Sequence, residues 1–166
     1  MHLIRNWQLV DDDWQMLASD ADAQVDCSAA GQKLLLPLAL YTKFAPALHG
    51  QRQRIGLLLD TDTRPELIEV FLPQVTLVAV RFASFTDGRG YSLARLLRQR
   101  YRYRGELRAV GEVLRDQLHF LYQCGFDAFL LRQDQDPQQA LKGANDYCWQ
   151  PRFGPVSTEP EQTASR

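Results

Sequence analysis

The sequence is poor in the residue types that most often build metal and redox sites. It contains three cysteines, Cys27, Cys124 and Cys148, and three histidines, and none of them lies at the spacing of a metal-binding or redox motif. An odd number of widely separated cysteines indicates reduced thiols rather than a disulfide framework. We therefore expect no metal site, and the sequence indicates no cofactor.

Long apolar runs are also missing. No stretch approaches the ~20 apolar residues that a membrane-spanning helix needs, and the N-terminal residues MHLIRNWQLVDDD become acidic before a signal-peptide core could form. These absences predict a cytoplasmic protein that has no membrane partner. The dinucleotide fingerprint GxGxxG and the P-loop fingerprint GxxxxGKS/T are absent as well.

Lysine is scarce, and the positive charge is concentrated. The chain has 19 basic residues, only three of them lysine, and a net charge of −1, whereas a nucleic-acid partner favours a strongly basic domain. We therefore expect no nucleic acid as a partner. Residues 1–30 contain six aspartates and residues 81–115 contain nine arginines. The asymmetry predicts either internal pairing between these segments or a basic site that faces a partner.

The pattern of apolar residues predicts an α/β fold. An N-terminal β-hairpin has strands over residues 4–10 and 14–17 with a turn at 11–13, and a helix follows over 38–48. From there the pattern becomes regular and predicts four strands, each followed by a helix. The strands span 55–59, 75–81, 106–110 and 126–131, and the helices span 65–72, 91–100, 112–124 and 137–147.

Four consecutive βα units imply a small parallel sheet, because each return to a parallel neighbour needs a crossover. The sequence leaves open whether this sheet is flat or curled into a half-barrel. We expect one α/β domain over residues 1–150. The remaining residues, 151–166, are rich in Pro, Ser, Thr and Glu and predict a disordered tail.

Ligands of parallel sheets bind at the carboxyl ends of the strands, and the longest predicted loop at those ends spans residues 82–90. Asp87 is placed to cap the helix that follows, whose first turn exposes N–H groups that attract anions, and Arg89 and Ser92 are placed to add further donors. We predict an anion site that uses Asp87, Arg89 and Ser92. A capped turn that binds nothing is the alternative reading of the same residues.

The helix after this loop predicts a basic stripe. At 100° per residue, Arg95, Arg98 and Arg102 lie opposite the apolar side that contains Leu96. Such a stripe is either an ordinary solvated face or a surface that binds a partner. We keep both alternatives for these arginines.

Two further segments carry unusual polar residues. Glu106 and Arg108 share one face of the predicted strand 106–110, although interior parallel strands are normally apolar on both faces. They indicate an edge strand, a structural ion pair, a polar concave surface that lines a cavity, or a subunit interface. In the next helix, Gln117 lies near the centre of an apolar arc that includes Phe120, and Asp116 lies at the edge of that arc.

We predict Arg108 and Gln117 as ligand-binding residues, and Glu106 or Asp116 as the acid or base if the protein is an enzyme. For Gln117, an amide that ties a helix to the sheet is an equally good explanation. We expect these side chains to meet Asp87 and Arg89 at the carboxyl rim of the sheet.

Three motifs carry a family resemblance: FTDGRGYSLARLL, GELRAVGEVLRDQL and CGFDAF. They resemble the signature of a proteobacterial domain family of unknown function, whose members are labelled oxidoreductases and encoded beside assimilatory sulfite or nitrite reductase. The resemblance extends from the DDDW hairpin to CGFDAF. The matching positions are Asp87, Gly88, Arg89, Gly90, Tyr91, Ser92, Gly105, Glu106, Arg108, Gly111, Asp116, Gln117, Gly125, Phe126 and Asp127. The chain departs from the pattern at Gln123 and Ser84, where relatives frequently have Arg and Pro.

The resemblance implies a role in cytoplasmic sulfur assimilation and supplies no catalytic residue. Three hypotheses follow. The favoured one is an accessory protein of sulfite reduction that binds the reductase or an anionic ligand through the arginine-rich residues 82–117. The second is a small half-barrel enzyme, an oxidoreductase by the family label, that acts on an anionic small molecule. The third is a self-associating protein, a homodimer in which the polar strand face closes against a second copy.

Overall fold

The computed structural model describes residues 2–17, 31–45 and 53–145. Within these ranges the chain forms one mixed sheet of eight strands and four α-helices. The strands are β1 His2–Arg5, β2 Gln8–Asp11, β3 Trp14–Met16, β4 Lys33–Pro37, β5 Ile55–Asp60, β6 Leu77–Phe82, β7 Glu106–Gly111 and β8 Ala128–Phe129. The helices are α1 Leu38–Phe44, α2 Arg89–Gln99, α3 Leu118–Gln123 and α4 Pro137–Asn145. The predicted tail over 151–166 lies outside the described residues, as do the last residues of the helices predicted over 38–48 and 137–147.

Six parallel strands lie side by side in chain order from β3 to β8, and the antiparallel hairpin of β1 and β2 extends the sheet beyond β8. Right-handed crossovers that always step in one direction stay on one face of a sheet. Buried apolar residues accordingly form two clusters, one beneath the helices and one on the opposite, inner face. The α/β class is confirmed, and the sheet is the half-barrel rather than the flat alternative.

The inner face is filled by the chain's own side chains. Its buried residues are Leu3, Leu35, Leu58, Leu77, Ala79, Val110, Ala128 and Leu130. The two edge strands, β2 and β3, are separated by Asp12 and Asp13 alone. Three Cα–Cα steps span at most ~11 Å, so the sheet must curl until its edges approach each other at this link.

The N-terminal hairpin turns at a different place from the one that the sequence predicts. Arg5 lies opposite Gln8, and the turn consists of Asn6 and Trp7 with φ of 50° and 61°. Positive φ at both central residues matches the twist of the strands that such a two-residue turn joins. The turn predicted at residues 11–13 is wrong, because these aspartates link β2 to β3, which pairs in parallel with β4 at the other edge.

Three other elements differ from the sequence-based expectation. Residues predicted as a helix over 65–72 form two short 3-10 helices, Pro65–Leu67 and Leu72–Gln74. The helix predicted over 112–124 begins as a 3-10 turn, Arg115–Gln117, and α3 ends before Gly125, whose φ of 109° is typical of a helix terminus. The strand β4 was not predicted, since its apolar run continues into α1 and periodicity alone cannot separate the two.

One charged network lies on the inner face. Arg108 is 1% exposed, and it donates to Asp12 Oδ1 from Nη1 over 2.7 Å and to Glu106 Oε1 from Nε and Nη2 over 2.9 and 2.7 Å. Glu106 Oε2 lies 3.5 Å from Arg5 Nη1 on β1. Because β7 lies between β6 and β8, the edge-strand interpretation is wrong, and the ion pair on a concave face is confirmed. Pairing between the acidic N-terminus and the basic middle is confirmed at Asp12.

Arg98 is a second buried cation, 8% exposed, at the carboxyl half of α2. Its Nε donates to the carbonyl of Gly125 over 2.8 Å, its Nη1 donates to the carbonyls of Tyr103 and Gly105 over 2.7 and 2.9 Å, and its Nη2 donates to the carboxylate of Asp127. Burial raises the pKa of Asp127, and the guanidinium of Arg98 offsets part of this effect. A Cβ at position 125 would lie 2.5 Å from Cγ of Arg98, so this arginine also requires the glycine.

The prediction that Arg95, Arg98 and Arg102 form a basic stripe on one helix face is wrong. Arg95 is exposed on α2, whereas Arg98 is buried and Arg102 follows the end of the helix with φ of 50°. Helical spacing treats all three arginines alike, and only the tertiary contacts separate them.

We expect Asp12→Ala to destabilise the protein far more than Asp13→Ala. The side chain of Asp12 is 6% exposed, and its loss removes a carboxylate from the buried Arg108, which should cost about 3 kcal/mol. The side chain of Asp13 is 61% exposed and pairs with Lys33 at the surface, a contact worth less than about 1 kcal/mol. Urea-induced unfolding followed by circular dichroism measures both. Equal losses would show that the buried network does not stabilise the fold.

Arg98 and Arg95 provide a second matched pair. Arg98→Ala should lower the free energy of unfolding by at least about 3 kcal/mol, because three carbonyls and a carboxylate lose their donor. Arg95→Ala, one turn away and exposed, should change it by no more than about 0.5 kcal/mol. The same unfolding assay tests the difference, and a stable Arg98→Ala protein would contradict it.

Candidate functional site

The loop between β6 and α2 is held in place by Asp87. Its Oδ2 accepts the hydroxyl of Thr61 at 2.5 Å, its Oδ1 accepts the backbone N–H of Arg89 at 3.1 Å, and both oxygens accept the guanidinium of Arg89 at 2.9 and 2.8 Å. These donors, the Arg89 guanidinium first among them, hold the pKa of Asp87 well below its usual range. As the sequence predicts, the carboxylate accepts an N–H at the start of α2.

This geometry places the protein's own carboxylate beside the helix terminus where an anion is predicted to bind. Arg89 is directed to Asp87, and its Nη1 lies 3.9 Å from Asp62. Ser92 is exposed on α2. Asp87 is engaged by the backbone and guanidinium of Arg89 and by Thr61, and anion binding by Asp87, Arg89 and Ser92 stays a prediction.

Gln117 connects the loop to the turn that precedes α3. Its Nε2 donates to the carbonyl of Phe85 over 2.7 Å and to the hydroxyl of Tyr91 over 3.0 Å, and its Oε1 accepts the N–H of Leu114 at 3.0 Å. Burial raises the pKa of Tyr91, so its phenol stays protonated at neutral pH. The amide has the tying role that the sequence offers as an alternative, although it ties two loop segments and one helix rather than helix to sheet.

Two aromatic rings are exposed around this amide. Phe85 is 50% exposed and Phe120 is 54% exposed, and the ring of Tyr91 lies between Gln117 and Phe120 with a centroid distance of 4.9 Å to the latter. We call Phe85, Tyr91 and Phe120 the aromatic surface. The sequence places Phe120 in the apolar arc that packs on the core, and this expectation is wrong because α3 is short and begins as a 3-10 turn.

Within the described ranges, two clefts open at the carboxyl ends of the strands. The larger, about 450 Å³, is lined by Leu114, Arg115, Asp116, Arg132, Asp134, Gln135, Asp136 and Gln139. The smaller, about 320 Å³, is lined by Met16, Gly111, Glu112, Leu130, Leu131, Arg132 and Gln133. Of the predicted site residues, Asp116 lines the larger cleft, where it lies 3.3 Å from Arg115.

Arg132 borders both clefts. It donates to both carboxylate oxygens of Asp134 over 2.7 and 2.6 Å and to Glu112 over 3.1 Å. These carboxylates raise the pKa of Arg132, and its guanidinium lowers the pKa of Asp134. The sequence places Arg132 at a strand end but assigns it no role. The signal that marks it is an arginine directly after the predicted strand 126–131, followed by QDQD.

The predicted site residues do not all meet. Asp87 and Gln117 lie on one side of the molecule, since Gln117 bonds the loop two residues before Asp87. Glu106 begins β7 at its amino end, and Arg108 is enclosed on the inner face. The expected convergence at the carboxyl rim is therefore wrong for Glu106 and Arg108. The polar strand face that the self-association hypothesis invokes lies inside the chain's own sheet, and a homodimer stays a prediction.

In the described part of the chain, no group of three or more His, Cys, Asp or Glu side chains is arranged to hold a metal ion. No helix in these same ranges has the length and apolar character to span a membrane.

No curated protein matches the chain. A family described as bacterial protein of unknown function (DUF934) matches residues 56–153, which begins later than the DDDW hairpin of the resemblance and continues past CGFDAF. The matched range contains β5 to α4, and with them the loop at Asp87, the aromatic surface and Arg132. The chain belongs to the DUF934 family of bacterial proteins of unknown function.

Proposed function

We propose that this protein is an accessory protein of assimilatory sulfite reduction that acts by binding the reductase. The family resemblance of the three motifs supplies the pathway, because members of that family are encoded beside the reductase. The arrangement of charge supplies the mode of action, which is recognition of a partner protein rather than chemistry at a pocket of converging catalytic groups.

The observation that carries the proposal is a segment of the chain that contains arginine and no acid. Residues 89–104 include six arginines and neither aspartate nor glutamate. Arg89 pairs with Asp87, and Arg98 is turned inward. The four that remain are exposed, and we call them the basic flank: Arg95, Arg100, Arg102 and Arg104.

A cluster of exposed arginines on a protein of net charge −1 makes a local positive field without general affinity for nucleic acid. Such a field steers an acidic partner and fixes its orientation more than it raises affinity. Arginine also makes planar, bidentate contacts with carboxylates, which adds geometric selectivity. The basic flank therefore fits an acidic surface on the reductase.

The clefts beside Arg132 favour a second function, that of a small half-barrel enzyme acting on an anionic molecule. Ligands of sheets of this kind occupy the carboxyl ends of the strands, where both clefts lie. Arg115 and Arg132 are the cations that line the larger cleft, and Asp116 is the carboxylate nearest to Arg115. In this reading Asp116 is the candidate acid or base.

Binding to the reductase should depend on the basic flank and on salt. Arg95→Glu combined with Arg102→Glu should weaken the complex about tenfold, equivalent to about 1.4 kcal/mol. Raising the salt concentration from 0.1 to 1 M should weaken the wild-type complex as well, because the screening length falls from about 10 to about 3 Å. Co-purification and titration calorimetry with the sulfite reductase of the same bacterium measure both effects.

The matched control is Arg64→Glu, an exposed arginine that precedes the 3-10 helix Pro65–Leu67 and lies outside the basic flank. It should leave the affinity unchanged. Absence of binding between the wild-type protein and the reductase would overturn the proposed function. Equal weakening by Arg64→Glu would show that net charge, rather than this flank, governs the interaction.

The enzyme alternative predicts stabilisation by a small anion. Sulfite, sulfate or phosphate at a hundred times its Kd should add about 2.7 kcal/mol to the free energy of unfolding. Arg132→Ala should abolish this gain, because Arg132 borders both clefts, while Arg64→Ala should retain it. Thermal unfolding with and without each anion tests the alternative, and an unchanged Tm with all three anions contradicts it.

A further inference from the structure

The aromatic surface exposes two phenylalanine rings, Phe85 and Phe120, each by about half. Aromatic residues are enriched at protein interfaces, and exposed phenylalanines that lie close together are a frequent mark of them. Phe85 and Phe120 come from two segments far apart in the chain, yet Gln117 bonds the carbonyl of Phe85 and the hydroxyl of Tyr91, whose ring packs on Phe120. The fold therefore builds one apolar surface from separate elements.

Hydrogen bonds hold this surface in a fixed shape. The loop that carries Phe85 is closed by the N–H of Asp87 donating to the carbonyl of Ser84 over 3.1 Å, and it is attached to α2 through Asp87 and to the 3-10 turn through Gln117. A surface that is ordered before binding loses little conformational entropy when a partner docks. Half-exposed rings on such a framework are suited to act as anchors.

The charges beside the rings define the chemistry of the partner. Tyr91 and Arg95 are four residues apart on α2 and so share a face. Burial raises the pKa of the Cys124 thiol, and the positive charge of Arg95 offsets part of this effect, which places Arg95 near α3 as well. Neither α2 nor α3 contains an aspartate or a glutamate. The complementary surface is therefore an apolar recess bordered by carboxylates.

We propose that the aromatic surface is the centre of a docking site for a partner protein that offers an apolar recess bordered by carboxylates. Phe85 and Phe120 enter the recess. Arg95, which belongs to the basic flank, pairs with the carboxylates at the border of the recess. The inference deepens the proposed function and rests on it for the identity of the partner, namely the reductase. The inference adds Phe85 and Phe120 as the residues that carry the affinity for the partner. The basic flank alone steers the partner towards the protein and orients it.

Serine substitutions test the two rings. Phe85→Ser and Phe120→Ser should each weaken binding to the sulfite reductase of the same bacterium at least tenfold, and the double variant should weaken it at least a hundredfold. The matched controls are Leu67→Ser and Val70→Ser, which remove exposed apolar side chains from the connection between β5 and β6. These two should retain wild-type affinity within twofold. Titration calorimetry gives the affinities, and circular dichroism confirms that all five variants are folded.

The outcomes separate the two proposals. Binding by the wild-type protein that Phe85→Ser and Phe120→Ser leave unchanged overturns the docking site and leaves the accessory function standing. No binding by the wild-type protein overturns the accessory function and, with it, the assignment of this partner. Sedimentation of the protein alone gives a further check. A wild-type dimer that Phe85→Ser dissociates would show that a second copy covers the surface, which also overturns the proposal.

Discussion

The contact between Arg108 and Asp12 is the constraint on which the rest of the half-barrel depends. A parallel sheet in strict chain order has its crossovers on one face, so its inner face has no layer of helices to cover it. Here the inner face is closed by curling, and the link of two residues between β2 and β3 holds the edges together. Arg108 bonds to that link from the centre of the sheet, and Glu106 connects the same guanidinium to Arg5 on β1. A buried cation with well-placed carboxylates specifies one arrangement of these strands, because any shift would leave a charge without its partners.

The parts of this fold that follow from local pattern could be predicted from the sequence. The alternation of β5, β6, β7 and β8 with helical segments, the start of α2 at the Asp87 turn and the end of α3 at Gly125 all depend on apolar period and on turn residues. The approach of the two edge strands, β2 and β3, to each other could not be predicted in this way. The run DDD after a strand is the usual signal of a turn, and only the curl of the whole sheet makes it a link to the opposite edge.

In the candidate site, too, features that depend on local sequence could be predicted, and features that depend on tertiary contacts could not. Asp87 could be assigned because capping is local, and Gln117 could be marked as a polar residue in an apolar arc. Helical spacing gives Arg95 and Arg98 the same character, yet the closeness of Gly125 admits one of them into the interior. The exposure of Phe120 could not be predicted for a related reason. The apolar arc assumes a helix of thirteen residues over 112–124, whereas α3 has six.

The link between the edge strands β2 and β3 also has a consequence for the order in which the strands pair as the chain folds. Ile4 on β1 pairs with Phe129 on β8, so the first hairpin cannot join the sheet until the chain has been synthesised as far as β8. Contacts so distant in sequence slow folding. In the meantime β1 and β2 expose unpaired strand edges while still attached to β3, whose own neighbour β4 is already made. The hairpin of β1 and β2 is thus among the last elements to pair, and its pairing with β8 completes the order of the sheet.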